Sequence, residues 1–134
     1  MRVAILFLFG AALLSCGGPR EIKVEQDGKV IHRTPLGPAL VPGGVLFRVN
    51  PPPGTWSLTV AGDFNQWDPT VTRLTNDPVR RVWSGFAPLE HKGQILFKYI
   101  RNGSDWLTDP LLDSVADGYG GRNSRFDLDK AKQP

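Results

Sequence analysis

The sequence is poorest in the residues that most often announce chemistry: its 134 positions hold one cysteine, two histidines and one methionine. A single cysteine excludes an internal disulfide and a cysteine-based zinc cluster. His32 and His91 lie far apart with no ligand spacing around either, which predicts solvated side chains rather than a metal pair. Asp109, Asp113 and Asp117 recur four apart, but lack the alternating pattern and closing Glu of a calcium loop, so they read as solvated carboxylates at a helix-like surface spacing. No cofactor and no metal are expected. Charge is not concentrated either: sixteen basic and thirteen acidic residues are spread along the chain, which gives no case for nucleic acid. No apolar run reaches the roughly 20 residues of a membrane-spanning helix. Nor does any long apolar stripe repeat with the helical period, which argues against a helical bundle.

What is abundant is turn chemistry. Fifteen glycines and twelve prolines imply many short strands, and the length suits one domain of about 100–150 residues with appendages. Residues 1–15 read as a signal peptide. Arg2 gives a short basic start, Val3 to Leu14 is apolar, and Leu13-Leu14-Ser15-Cys16 ends in the only cysteine. This site resembles a bacterial lipobox, which implies cleavage before Cys16 and lipid on its sulfur and new amino group. The alternative is an ordinary signal peptide with Cys16 left as a free thiol. Several acyl chains would anchor the protein stably to a membrane. In a cell with two membranes, Gly17 after the cysteine resembles the outer-membrane sorting pattern. The expected location is the bacterial cell envelope, with the domain outside the cytoplasm. Cleavage also removes Arg2, leaving fifteen basic and thirteen acidic residues, a formal +2.

Residues 16–42 read as a lipidated tether. Within it, Ile22–Gln26 and Lys29–His32 flank Asp27-Gly28, the strongest short hairpin signal. The three prolines between Thr34 and Pro42 predict an extended spacer. The domain is expected over 43–129, with a disordered tail at 130–134. Strands are predicted over 45–50, 55–62, around 72–75, and over 82–87, 95–101 and 123–128. About seven short strands describe an all-β sandwich.

Two stretches organise the domain. In the first, Trp56, Leu58 and Val60 alternate with Ser57, Thr59 and Ala61 as a strand, which then breaks at Gly62-Asp63-Phe64-Asn65-Gln66-Trp67-Asp68-Pro69. Phe64 and Trp67 cannot both follow the inward face, so Phe64 is read as the plug and Trp67 as exposed. The second, Phe97 to Pro110, repeats strand, turn, tryptophan (Trp106) and Asp-Pro. Trp56 and Trp83 lie inside strand patterns and read as core. Two tryptophans just beyond strands suggest a site for a flat ligand.

The run Ala61 to Trp67, then Phe97-Lys98-Tyr99 with Gly103 and Trp106, then Asp109-Pro110 and Gly120 to Ser124, resembles the glycogen-binding module. That module occurs in the β subunit of AMP-activated protein kinase and as the early-set domain beside α-glucan-processing enzymes. The resemblance covers roughly residues 43 to 129. It implies an immunoglobulin-like β-sandwich that binds α-1,4-glucan. By motif position it implies that Trp67 and Trp106 stack on glucose rings, that Lys98 and Asn123 bind hydroxyls, and that Tyr119 is a candidate lid. Such a ligand is neutral, with apolar faces and hydroxyl rims, so aromatic plates and a few hydrogen-bonding side chains suit it. Alternation independently turns Lys98 away from the Phe97/Tyr99 face. The bland reading of each residue stands beside this: a core tryptophan, a solvated lysine, an asparagine that forms a turn.

Catalysis is not expected. Glycosidases hold two carboxylates about a cleft. Here Asp63, Asp68, Asp105 and Asp109 each sit in a turn as a capper, and the chain has no room for the barrel of glucan enzymes. The alternative function is an early-set scaffold of an envelope lipoprotein that docks a protein partner and no longer binds sugar.

Overall fold

The computed structural model describes residues 22–26, 29–33 and 35–132. The signal segment and Cys16 lie outside them. The strands that flank Asp27-Gly28, β1 (Ile22–Gln26) and β2 (Lys29–Arg33), pair antiparallel with Ile22 opposite Arg33, forming a sheet of their own.

The chain joins the domain earlier than residue 43. β3 (Ala39–Val41) pairs with β4 (Gly44–Val49) across a tight turn at Pro42-Gly43. Gly43 takes φ +81° there, the left-handed conformation that a turn opened by proline leaves to glycine. Further upstream, the Gly37 N–H donates to the Arg48 carbonyl at 2.7 Å and Arg48 Nη1 donates to the Pro35 carbonyl at 3.3 Å. Leu40 packs on the core. Residues 35–42 therefore belong to the folded unit and not to a spacer, because their apolar positions find a sheet edge to cover.

Ten strands among the described residues, rather than about seven, build two antiparallel sheets. One runs β3, β4, β8 (Val82–Pro88), β7 (Thr75–Asp77). The other runs β11 (Ser114–Ala116), β12 (Arg122–Asp127), β9 (Gln94–Arg101), β5 (Leu58–Gly62), β6 (Thr72–Arg73), with β10 (Asp105–Leu107) also on β9. The protein is all-β, and its core lies between these sheets. Val45, Phe47 and Val49 of β4 meet Leu58 and Val60 of β5 and Ile95, Phe97 and Tyr99 of β9. The Phe47 ring stands edge-on to Phe97 at 5.0 Å and stacks on Phe64 at 5.6 Å, so Phe64 does close this end of the core. On β8 the register sets Trp83 opposite Val49 and Gly85 opposite Phe47, so Trp83 packs inward and Phe86 faces out.

Between β6 and β7 the chain crosses from one sheet to the other at buried Leu74. The crossing is close: a Cβ on Gly85 would lie 2.4 Å from the Arg73 carbonyl oxygen. The expected frayed tail is instead a short helix, α1 (Leu128–Ala131). Asp127 caps it by accepting the Lys130 N–H, and Leu128 is buried. Residues 133–134 lie outside the described residues. His91 is not a free solvated side chain, since Nε2 lies 2.7 Å from the Gly44 carbonyl oxygen.

Candidate functional site

β9 positions the candidate residues. Its Ile95, Phe97 and Tyr99 point into the core, so Leu96, Lys98 and Ile100 take the outer face of the six-stranded sheet. Trp106 is the cross-strand partner of Ile100, and partners in an antiparallel pair share a face. On the neighbouring strand Ser124 pairs with Phe97 and is fully buried, so Asn123, one residue earlier, continues that register to the level of Lys98 on the outer face. Trp106, Lys98 and Asn123 thus share one surface. Trp106 is 47% exposed, and Asn123 is half-buried.

Trp67 reaches its place by a different device. After β5 the chain makes a 3-10 turn over Asp63–Asn65, then holds both Gln66 and Trp67 at φ 57°, which is unfavourable for bulky side chains. Asn65 sustains this. Its buried Oδ1 accepts the Gly62 N–H at 2.9 Å, and Nδ2 donates to the Val60 carbonyl and to Thr72 Oγ1, both at 3.0 Å. The Trp67 N–H donates back to the Gly62 carbonyl at 2.8 Å. Trp67 is half-buried rather than fully exposed. Its backbone is fixed at the end of β5, where Ala61 pairs with Lys98. Non-glycine residues kept in this region are concentrated at functional sites, where the surroundings over-determine them.

Lys98 is not a free donor. Its Nζ lies 2.7 Å from Asp117 Oδ2, and the two side chains are only 16% and 12% exposed. Asp117 Oδ1 also accepts the Tyr119 N–H at 2.7 Å and the Gly121 N–H at 3.0 Å, so one carboxylate ties the 117–121 loop to the sheet. The hydrogen bond from Lys98, followed by those from the two amides, pulls the Asp117 carboxyl down to about 2. Tyr119 stands 94% exposed at the tip of this loop.

The reading of the three aspartates as solvated surface carboxylates is therefore corrected for two of them. Asp109 is buried: Oδ2 accepts the Tyr99 hydroxyl at 2.8 Å, Oδ1 accepts the Leu111 N–H, and its own N–H donates to Ser124 Oγ at 2.7 Å. Burial, with Asp109 beside it, pushes the Tyr99 hydroxyl well above its usual range. The four-residue spacing is not helical, because β11 runs through 114–116. Of the other carboxylates, Asp68 accepts both the hydroxyl and the amide of Thr70, which hold its carboxyl below the usual value, and Asp105 pairs with Arg101 at 2.9 Å.

Trp56 overturns its expected core role. The strand begins at Leu58, and Trp56 is 72% exposed in the preceding loop. Alternation misled here because the period continues past the point where pairing stops. Trp83 keeps its place against the core. Asp117 does not stand out as a site residue in the sequence; the signal that points to it is Asp117-Gly118 followed by Gly120, a turn in which an aspartate accepts amides two and four residues on. No protein-family model matches the chain, and neither does any curated protein sequence.

Proposed function

We propose that this chain is a non-catalytic carbohydrate-binding module of immunoglobulin-like, early-set architecture. It takes α-1,4-linked glucan of the glycogen or starch kind on the outer face of the six-stranded sheet. Trp67 and Trp106 stack on glucose rings, Lys98 and Asn123 bind hydroxyls, and Tyr119 closes over the chain from its loop. The observation that carries this reading is the register that sets Trp106, Lys98 and Asn123 on one face, with the Trp106 indole half open to solvent. Stacking on an indole suits a neutral ligand with apolar ring faces. Lipid on Cys16 holds the module at a bacterial membrane, the outer one where there are two, with the domain outside the cytoplasm.

One observation favours a second reading. Lys98 is already committed to Asp117, which would suit an early-set scaffold that has given up sugar for an envelope protein partner.

Calorimetry of the full chain with maltoheptaose, beside a Trp67→Ala/Trp106→Ala double variant, separates the two. The module reading expects saturable heat with an affinity between roughly micromolar and millimolar, lost in a double variant that still unfolds cooperatively. Each single substitution should cost about 2 kcal/mol of binding. Absence of heat with the unaltered chain would leave the scaffold reading.

A further inference from the structure

The loop that carries Trp56 is fastened from several sides. Arg101 donates through Nε to Thr55 Oγ1 at 2.7 Å and through Nη2 to the Pro53 carbonyl at 2.8 Å. Asn102 Oδ1 accepts the N–H groups of Trp56 and Ser57 at 2.8 and 3.2 Å, and its Nδ2 donates to the Gly54 carbonyl at 3.1 Å. Five side-chain hydrogen bonds thus hold residues 53–57 in place, and the large side chain they present is an indole left 72% exposed. An exposed indole on a loose loop means little, but on a preorganised loop it is a plate whose ordering has already been settled in folding.

Trp56 borders a cleft of about 740 Å³, within the range of ordinary small-molecule sites. Thr59, Thr70, Arg73, Asn76 and the half-buried Trp83 line it as well. Thr59 and Arg73 are cross-strand partners on β5 and β6. Arg73 has no ion-pair partner among the described residues. No carboxylate lines the cleft and its one charged side chain is Arg73, so its formal charge disfavours a cationic ligand. Hydroxyl, amide and guanidinium groups around indoles match a ligand with apolar ring faces and many hydroxyls.

We propose that this cleft is a second carbohydrate site, taking a short neutral oligosaccharide with one ring stacked on Trp56 and its hydroxyls held by Arg73 and Asn76; it adjoins the Trp106/Lys98/Asn123 surface through Ile100, which lines the cleft and is the cross-strand partner of both Thr59 and Trp106. The site does not depend on the function proposed above. Because Trp56 is exposed and its anchoring uses its backbone N–H, Trp56→Ala leaves the fold intact.

The four indole N–H signals of the full chain can be followed by NMR during separate titrations with maltotriose, cellotriose and xylotriose. The expected result is a saturable shift of the Trp56 indole and the Thr59 and Asn76 amides with at least one of them. Binding should weaken roughly tenfold or more in Trp56→Ala and several-fold in Arg73→Ala, at unchanged melting temperature. A Trp56 signal that stays fixed with all three sugars overturns the proposal, as does binding that survives Trp56→Ala undiminished. Shifts at Trp67 and Trp106 without Trp56 would sink this cleft and spare the glucan face; the reverse pattern would do the opposite.

Discussion

Asp117 joins the loop to the sheet, and its charge is what Lys98 holds. Its carboxyl titrates at about 2 in the folded protein against an ordinary 3.8, so folding favours the ionised form. A depressed value adds stability that is fully present above about pH 4 and is withdrawn as the pH falls through the folded value. Asp117→Asn keeps a carbonyl that can accept the Tyr119 and Gly121 amides but removes the charge opposite Lys98. The variant should therefore melt below the unaltered protein at neutral pH, and the two should converge as the pH approaches 2. Thermal melts across that range decide it. A gap of the same size at both ends would mean that the substitution acts through loop geometry and not through the ion pair.

At the scale of elements, the two sheets come into close backbone contact where β8 passes the crossing between β6 and β7. Gly85→Ala would put a methyl group 2.4 Å from the Arg73 carbonyl oxygen, a contact that backbone has to yield to. A loss of about 1–3 kcal/mol is expected, read as a lower denaturant midpoint, and the Thr75–Ser84 pairing of β7 with β8 should be the first to open in hydrogen exchange. An unchanged midpoint would show the crossing to be soft. Nothing in the sequence announces that contact, since it depends on which sheet each short strand joins. β9 was legible because Ile95, Phe97 and Tyr99 alternate cleanly over a strand buried on its inner face. β10 was missed although Asn102-Gly103 is a strong hairpin signal, and it is this hairpin that lays Trp106 beside Ile100. The outward turn of Lys98 followed from period alone, but its partner did not, because Asp117 lies 19 residues away and reaches it only through tertiary folding.

For the whole molecule, the decisive question is where the folded unit begins. A chain starting at Gly43 would lose β3, the two hydrogen bonds from Gly37 and to Pro35 that involve Arg48, and the packing of Leu40. Small contributions of this kind sum to about 2–4 kcal/mol, a large share of the roughly 5–15 kcal/mol that holds a domain folded. The loss would also bare one long side of β4 as an unpaired edge, which invites association with other chains. A chain starting at Thr34 should match the full chain in denaturant midpoint and stay monomeric, while one starting at Gly43 should unfold earlier and associate. Equal midpoints for the two would return residues 35–42 to the role of a spacer. The outcome also bears on the proposed anchor. If the fold begins at Pro35 and not at Gly43, the spacer from Cys16 is eight residues shorter, about 26–29 Å less of fully extended chain. The proposed glucan face would then be held nearer the proposed anchor.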